Sequence, residues 1–421
     1  MVGVPPHMHI MNGPYTNISL EAMPSSGHRK GMAQPSQMHI ALSERAKTLP
    51  GSAIRALLSS ARSNVALDLG GGIPEPDLFP GPLLVDVFSH LIATDAAQAL
   101  QYAPTEGLLP LRARIAQRLQ QRGCSVTPEQ VIITHGSQQA LAAAAALLTS
   151  PTEPVALELP VYPGARQAFA LAEAPSVPLP VTEQGWEMAA LKRARVAVIY
   201  VNPSYQNPTG RSANIEQRRL LAEYAEATET FVVEDDAYGE LGFDAAPTRP
   251  ILADAPTRGI LVGTFSKTLC PGLRVGWIVV PRGLVEPLVR ILQASSLQPG
   301  TLTQHLAFGL LERLDWQAHL GRLRCCYQTR AFALHARCHE LGLHAAAPKG
   351  GFFLWVRTRG AASRVAAVAA AHGVLTVPER AFQHSVDAGP DRHLRLAFSR
   401  FRDIPGDLEK LATALGSGSV L

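Results

Sequence analysis

Charged side chains are scarce in this sequence: Asp, Glu, Lys and Arg make up 17% of its 421 residues, against about 25% in a typical globular domain. The 38 basic residues are scattered, with no run longer than a pair, and the net charge is only +4. Nucleic-acid-binding domains usually carry a clustered basic stripe. The charge pattern therefore excludes a basic nucleic-acid binder, and no nucleic-acid partner is expected.

Cysteines and long apolar runs are also scarce. The five cysteines are odd in number and include no Cys-x-x-Cys pair, so neither a disulfide framework nor a zinc site is expected. The longest apolar run, residues 140–148, falls short of the ~18 residues that a membrane helix needs. The N-terminus lacks the basic and Leu-rich segments of a secretory signal. These absences predict a cytoplasmic protein with free thiols and no membrane partner.

The chain alternates short apolar runs with helical patterns after an N-terminal arm. Residues 1–40 are rich in Met, His, Pro, Gly and Ser without any period, which predicts a disordered or loosely packed arm. Continuously apolar runs are typical of strands buried on both faces of a parallel sheet. Such runs predict strands at 131–134, 155–158, 196–201, 231–235, 260–264 and 275–280. Helical patterns at 138–148 and 215–227 lie between them, which indicates an α/β domain.

The two ends of the chain differ from this middle part. A helix predicted at 43–58 precedes a Gly/Pro-rich loop at 67–80. Toward the C-terminus the predicted elements are helices at 284–297 and 303–341, strands at 352–356 and 393–398, and a helix at 362–372. The C-terminal part is therefore expected to form a smaller α+β domain.

The segment Gly-Thr-Phe-Ser-Lys-Thr at 263–268 places Lys267 in a loop between two apolar strands. Desolvation there would lower the pKa of Lys267 and make it a nucleophile able to form a Schiff base. Thr264, Ser266 and Arg274 are groups expected around a phosphate. A surface lysine in a Gly/Ser loop is the alternative interpretation. The spacing does not fit a P-loop.

A second loop, at 134–141, turns at Gly136 and begins a helix at Ser137. Free backbone N–H groups at a helix start, together with a hydroxyl, form an anion site. Simple capping of the helix by Ser137 explains the same pattern.

Two further loops follow predicted strands and carry polar groups. Asp235 lies in Glu-Asp-Asp at 234–236, and a carboxylate there could keep a ring nitrogen protonated. A solvated acidic turn or a metal-ligand set are the alternatives, although no His or Cys has the matching spacing. A Pro- and Gly-rich loop at 201–210 would hold Asn207 in place, and a plain turn is its alternative.

Together these loops make a family recognisable. The sequence resembles fold-type I pyridoxal-phosphate enzymes, and most closely class I/II aminotransferases of the 2-aminoadipate/kynurenine type. The resemblance covers residues 67–400. The segments that carry it are GGGIPEPDLFP, LQYAPTEGLLPLR, VIITHGSQQAL, LPVYPGA, YVNPSYQNPTG, VVEDDAYGEL, GTFSKTLCPGLRVGW, KGGFFLWV and LRLAFSR. It implies an α/β fold with a mostly parallel seven-stranded sheet in a large domain at 81–300. A segment at 41–80 would join the active-site loop to a small α+β domain at 301–421.

The resemblance also implies roles for individual residues around pyridoxal 5'-phosphate. Lys267 matches the lysine that forms the Schiff base, and Asp235 matches the partner of the pyridine nitrogen. Asn207 and Tyr238 match groups that hydrogen-bond the ring hydroxyl, and Tyr162 matches the aromatic residue stacked on the ring. The residues that match the phosphate-binding groups are Ser137, Gln138, Thr264, Ser266 and Arg274.

Other matches concern substrate and partner. Arg395 matches the arginine that binds the substrate α-carboxylate, next to Asn207. Gly71 and Gly72 match a loop whose backbone lies close to the substrate. Tyr102 matches a tyrosine that reaches the phosphate from a neighbouring subunit, which implies a homodimer with shared active sites.

The implied activity is ping-pong transfer of an amino group from an α-amino acid to a 2-oxo acid, with Lys267 moving the α-proton. Another enzyme on the same scaffold (an amino-acid lyase, cyclase or oxidase) is an alternative, because such enzymes share the cofactor residues. A regulator domain that only senses the cofactor is a third.

Two departures from the family pattern stand out. His135 replaces a small residue, and either proton transfer near the ring or packing would explain it. Glu379 and Arg380 follow Val-Pro where a glycine is usual. They would either change recognition of the substrate side chain or be surface variation.

Overall fold

The computed structural model describes residues 42–51, 65–244, 247–384, 391–402 and 404–415, without some side chains of the last helix. The described residues from Arg45 onward belong to one compact unit. The arm expected at 1–40 lies outside the described residues, as does the part of the predicted helix 43–58 beyond residue 51. The described part of that prediction contains a short helix, Glu44–Thr48.

Strands and helices alternate through the middle of the chain. The strands are β1 (Leu67–Asp68), β2 (Val131–Thr134), β3 (Val155–Leu159), β4 (Ser176–Thr182), β5 (Gly185–Trp186), β6 (Val198–Val201), β7 (Phe231–Asp235), β8 (Gly259–Thr264), β9 (Gly276–Val279), β10 (Phe353–Arg357), β11 (Val374–Leu375), β12 (Val377–Pro378) and β13 (His393–Ala397). The helices are α1 (Glu44–Thr48), α2 (Gly81–Ala99), α3 (Leu109–Gln120), α4 (Ser137–Leu148), α5 (Pro163–Leu171), α6 (Met188–Ala194), α7 (Ile215–Thr228), α8 (Val285–Ser296), α9 (Thr301–Arg313), α10 (Trp316–Glu340), α11 (Ala362–Ala371) and α12 (Pro405–Leu415).

The large sheet has the strand order β2-β9-β8-β7-β6-β3-β4-β5. The pairs from β8 to β4 are parallel, whereas β9 runs antiparallel to both of its neighbours and β5 antiparallel to β4. Every residue of β2, β6, β8 and β9 is buried. This explains why the strands are continuously apolar: helices or loops cover both faces.

The sheet has eight strands where seven were expected, and the additional pairing lies at one edge. β5 contains only two residues and pairs with the end of β4. β4 carries Pro178 and Pro180, which cannot donate to a strand ladder and which argue against a strand in sequence. The single helix predicted at 303–341 is wrong in one respect, because the structure has two helices there, α9 and α10. The chain breaks at Asp315, whose carboxylate accepts from the backbone N–H of Ala318 and caps α10.

A smaller antiparallel sheet, of order β10-β13-β12, lies in the C-terminal part. β1 pairs in parallel with β11, with Leu67 opposite Val374. The segment that precedes the large sheet in sequence therefore packs with the C-terminal part of the chain. The boundaries between a large and a small domain stay a prediction. No helix in the described part of the chain is long and apolar enough to cross a membrane.

Candidate active site

The carboxyl ends of β6, β7 and β8 open onto a cavity of about 1010 Å³. In open α/β sheets this edge is where ligands bind. The structure brings the predicted site residues together here, with the exception of Tyr102. Those that line the cavity are Gly71, Gly72, Ser137, Gln138, Tyr162, Asn207, Asp235, Tyr238, Thr264, Ser266, Lys267, Arg274 and Arg395.

Lys267 follows β8, and its side chain points into the cavity. Its ammonium nitrogen Nζ donates to the carbonyl oxygen of Gly72 at 2.8 Å. Burial, with a smaller contribution from the nearby Arg395, lowers the pKa of Lys267 to about 8, although Asp235 opposes the shift. A substantial fraction of this amine is therefore neutral near physiological pH, as a nucleophile or a proton acceptor needs to be.

The three consecutive carboxylates at the end of β7 have different partners. Because successive side chains of a strand point to opposite faces, Glu234 and Asp235 point in opposite directions. Glu234 forms a fully buried ion pair with Arg218 at 2.9 Å, and Asp236 pairs with Arg122 at 2.6 Å. Asp235 alone lines the cavity. The acidic run is therefore not a solvated turn, and the described residues contain no group suited to hold a metal.

Asp235 is held from one side only. Its Oδ2 accepts from the hydroxyl of Tyr200 at 3.0 Å, and its buried Oδ1 has no hydrogen-bond partner among the described residues. Burial raises the pKa of Asp235 to about 7, and the bond from Tyr200 opposes this. The sequence analysis missed Tyr200. Its one signal was a hydroxyl within an otherwise apolar buried strand, β6.

Arg395, on β13, also lines the cavity and is 1% exposed. Its Nη1 donates to Asn207 Oδ1 at 2.8 Å, and Nη2 donates to the carbonyl of Gly70. The guanidinium lies 4.5 Å from the ring centre of Phe353 and 5.1 Å from that of Phe382. Burial lowers its pKa to about 10, so it stays charged at neutral pH. A buried cation held by neutral groups is suited to bind a carboxylate.

The start of α4 forms another part of the cavity wall. Gly136 has a φ of 77°, and a Cβ there would lie 2.6 Å from Nη2 of Arg274, so only glycine lets the two approach. Arg274 Nη2 donates to the carbonyl of His135 at 3.1 Å. Gly136 occupies the capping position and Ser137 is the first helical residue, without a capping hydrogen bond. Capping by Ser137, the simpler interpretation, is therefore wrong.

The remaining lining groups pack around this frame. Thr264 Oγ1 lies 2.9 Å from Ser266 Oγ and accepts from its backbone N–H at 3.1 Å. Gln138 Nε2 donates to the carbonyl of Gly164 at 2.8 Å. The ring of Tyr238 packs edge-on against Phe352 at 5.4 Å. Burial raises the pKa of Tyr238 well above its ordinary value, which keeps its hydroxyl protonated.

Four residues of interest lie outside the cavity lining. Tyr102 is 78% exposed. His135 places Nε2 3.3 Å from the carbonyl oxygen of Gln298. Arg380 is exposed. Glu379 is buried, and its carboxylate accepts from two backbone N–H groups at 2.7 and 3.1 Å at the start of β13. Surface variation is therefore the wrong interpretation for Glu379, which fastens β13.

These surroundings fit a phosphorylated pyridine aldehyde. The unpartnered Oδ1 of Asp235 suits a protonated ring nitrogen, and a lysine of lowered pKa suits an aldehyde. A helix start with hydroxyls and an arginine suits a phosphate. Together with the sequence resemblance, a mostly parallel sheet with this cavity at its carboxyl edge places the protein among the fold-type I pyridoxal-phosphate enzymes.

The family within that class follows from comparison. The model of the aminotransferase class I and II family matches residues 79–403, and the chain belongs to this family. It is a pyridoxal-phosphate-dependent aminotransferase, which moves an amino group from an amino acid to a 2-oxo acid.

Within this family, the chain is similar to several individual proteins. Aromatic-amino-acid aminotransferase 1 of Thermococcus litoralis is 31% identical over 389 residues, 89% of this chain and 93% of that protein. The 2-aminoadipate transaminase of Thermus thermophilus is 37% identical over 327 residues, 75% of this chain and 81% of that protein. A crystal structure of α-aminoadipate aminotransferase from the same species, complexed with N-(5'-phosphopyridoxyl)-L-leucine, superposes with a TM-score of 0.81. It is 33% identical and covers 89% of this chain and 96% of that one. HTH-type transcriptional regulators also match, but the chain spans only 50–66% of their length.

Proposed function

We propose that this aminotransferase acts on α-amino acids with large side chains, with Lys267 as the proton carrier and Arg395 as the group that binds the α-carboxylate. The observation that carries the proposal is that one cavity places a lysine of lowered pKa beside the free oxygen of Asp235 and the buried guanidinium of Arg395. When bound, pyridoxal phosphate supplies an electron sink for the bonds of the substrate α-carbon.

The chain's own residues then have distinct tasks. Lys267 would bond to the bound cofactor; once its amine is free, it would accept the substrate α-proton and pass it to the carbon to which it had been bonded, as general base and then general acid. Asp235 would keep the ring nitrogen protonated, Tyr238 and Asn207 would donate to the ring hydroxyl, and Tyr162 would stack on the ring. The groups assigned to the phosphate are Ser137, Gln138, Thr264, Ser266 and Arg274, and Gly71 with Gly72 borders the substrate.

The cavity wall suits a large side chain. The cavity of about 1010 Å³ has room for the cofactor as well as a substrate, and its wall includes the apolar groups of Ile73, Tyr162 and Phe353. The relatives named for aromatic amino acids and for 2-aminoadipate both act on large side chains, which supports the same conclusion.

A half-reaction screen tests the substrate class. The cofactor-loaded enzyme is mixed with one amino acid and no 2-oxo acid, and the loss of visible absorbance is followed. We expect L-phenylalanine, L-kynurenine or L-2-aminoadipate to react faster than L-alanine and L-aspartate. Faster reaction with either small amino acid than with all three large ones would contradict the proposal.

The same mixtures separate transamination from the alternatives. A transaminase releases one equivalent of 2-oxo acid per active site and stops until a second 2-oxo acid is added. Continuous release of ammonia would indicate a lyase, and consumption of oxygen an oxidase. A cofactor-sensing domain would show no turnover with any amino acid.

We also propose that the enzyme is a homodimer in which Tyr102 reaches the partner's site. Val85, Phe88 and Ile92 lie at helical spacing on α2 and are 63%, 44% and 36% exposed, and Tyr102 follows the same helix. A second copy of the chain would bury this apolar surface. Light scattering should give twice the chain mass, and Val85→Glu with Phe88→Glu should give monomers. A monomeric native enzyme would refute this.

We place the enzyme in the cytoplasm. The five cysteines, all within the described residues, are free, which supports a reducing compartment. Cell fractionation tests this, and recovery of the protein with the secreted fraction would contradict it.

A further inference from the structure

Asn202, at the end of β6, connects two sides of the cavity. It is 3% exposed and lines the cavity wall. Its side-chain Nδ2 donates to the backbone carbonyl of Asp235 at 2.5 Å, and its Oδ1 accepts from the backbone N–H of Asn207 at 2.8 Å. One side chain therefore bridges the residue assigned to the ring nitrogen and the residue assigned to the ring hydroxyl.

The connection continues to the substrate side. Asn207 Oδ1 accepts from Arg395 Nη1 at 2.8 Å. A chain of hydrogen bonds thus runs from Asp235 on β7 through Asn202 and Asn207 to Arg395 on β13. It joins the large sheet to the small one at the point where cofactor and substrate are expected to meet.

Asparagine is the residue type that these partners require. The carbonyl of Asp235 needs a donor and the N–H of Asn207 needs an acceptor, and a primary amide offers both at one distance. Aspartate has no donor, and alanine has neither. The two partners also fix which way the amide of Asn202 points.

A buried carboxylate fixes the backbone of Asn202. Glu158, 4% exposed, accepts from the backbone N–H of Asn202 at 2.6 Å and from the indole N–H of Trp186 at 3.0 Å. Both of its oxygens are satisfied by neutral donors. Asn202 is therefore held from behind and cannot follow a shift of Asp235 or Asn207 without breaking this bond.

We propose that Asn202 is a positioning residue that holds Asp235 and the Asn207–Arg395 pair at a fixed separation, and so couples binding of the cofactor ring to binding of the substrate carboxylate. The inference deepens the proposed function and rests on its assignments of Asp235 to the ring and of Arg395 to the carboxylate.

Two probes of the apoprotein measure this coupling without any turnover. Pyridoxamine 5'-phosphate presents the ring alone, and N-(5'-phosphopyridoxyl)-L-leucine presents the ring together with an α-carboxylate. The ratio of their dissociation constants, from quenching of tryptophan fluorescence, reports how much the carboxylate side adds. In Asn202→Ala we expect about threefold weaker binding of the ring probe and a ratio reduced about tenfold, as loss of a buried hydrogen-bond pair allows.

A matched control comes from the same loop. Ser212 accepts from the backbone N–H of Tyr205 at 2.9 Å and does not line the active-site cavity. Ser212→Ala also loses one loop hydrogen bond, so both affinities and their ratio should stay at the wild-type values.

Asn202→Asp provides the second variant. It keeps the acceptor for Asn207 and loses the donor to Asp235, so the bridge is broken at one end: the ring probe should bind more weakly and the ratio should fall, as in Asn202→Ala. Equal losses for both probes, which leave the ratio unchanged in Asn202→Ala, would overturn the inference. If Asn202→Ala does not fold, unaltered binding of the ring probe by Asn202→Asp overturns it. A wild-type protein that gains nothing from the leucine part would instead refute the role proposed for Arg395.

Discussion

The two arginines of the cavity, Arg274 assigned to the phosphate and Arg395 to the substrate carboxylate in the proposed function, lie in different settings. Arg274 is exposed, lies on a loop, and shares the phosphate side with a helix start and the hydroxyls of Thr264 and Ser266. Arg395 is 1% exposed, lies on a strand, and donates only to an amide oxygen and a backbone carbonyl. The proposed phosphate side therefore has several donors, of which Arg274 is exposed and Thr264 and Ser266 are buried, whereas the proposed carboxylate side depends on one buried cation.

This difference predicts how each side responds to change. Hydrogen bonds and charges near solvent contribute little individually because water replaces them. A buried cation interacts strongly in its low-dielectric surroundings. A single substitution on the phosphate side should thus weaken cofactor binding only slightly. A single substitution of the buried cation should remove most of the binding of the substrate carboxylate.

The largest effect is expected at Lys267, which serves both sides. Lys267→Ala should slow the half-reaction by about 10⁴-fold, the upper end of what general acid–base catalysis contributes, and should abolish covalent attachment of the cofactor. Mass spectrometry after borohydride reduction measures the attachment. Lys349→Ala, which removes an exposed lysine outside the active-site cavity, serves as the control. A reduced adduct that persists in Lys267→Ala would show that another lysine bonds the cofactor.

Arg395→Lys probes the carboxylate side alone. Lysine keeps the charge and loses the two-pronged geometry that matches a carboxylate, so kcat/KM for the amino acid should fall about 100-fold. The visible absorbance of the bound cofactor should not change. Arg380→Lys alters an exposed arginine outside the cavity and should behave as wild type. Loss of cofactor together with activity would mean that the two sides are not separate.

The pH dependence of cofactor attachment tests the desolvation of Lys267. Only the neutral amine attacks the aldehyde, and its pKa of about 8 is lower than the value of an ordinary lysine. The attachment rate to apoprotein should therefore rise about tenfold per pH unit below pH 8 and level off above it. Stopped-flow absorbance measures this rate. A rise that continues unbroken to pH 10 would contradict the burial argument.

The smallest effect is expected at Arg274. Arg274→Ala should weaken pyridoxal-phosphate binding about tenfold, because the helix start and hydroxyls remain, and the KM for the amino acid at saturating cofactor should stay unchanged. Fluorescence titration of the apoprotein and steady-state kinetics measure the two quantities. Arg290→Ala, on the outside of α8, is the control. An effect as large as that of Arg395→Lys would remove the distinction between the two sides.

Much of the large sheet was predictable because buried parallel strands have short, continuous runs of β-branched and other apolar residues in the sequence. β2 and β7 have the predicted bounds, and the other predicted strands differ by one or two residues. β4 was not predicted because its prolines oppose a strand locally, and its pairing with β3 overrides them. Site residues in loops after strands were likewise predictable, since topology brings such loops to one edge.

Contacts between distant segments were not predictable. Arg395 meets Gly70 across 325 positions of sequence, and Glu379 reaches the start of β13 from a separate turn. Tyr200 belongs to an apolar strand whose side-chain directions depend on register with β7, and Asn202 directly follows that strand. A sequence carries no local mark of such partners, and only the packed sheet identifies them.

The loop between β8 and β9 has a consequence for how such an enzyme acquires new substrates. Because β9 runs antiparallel to β8, with Thr264 opposite Gly276, the loop is closed at its base and carries both Lys267 and Arg274. The residues proposed for the covalent and the phosphate attachment of the cofactor thus lie on one short stretch of chain. Changes of substrate preference can accumulate at Ile73 and Phe353, apolar lining groups on other segments of the chain, while the loop that carries Lys267 stays in place. The site is thus modular: the loop with Lys267 and Arg274 can stay constant while the apolar residues that line the rest of the cavity are substituted.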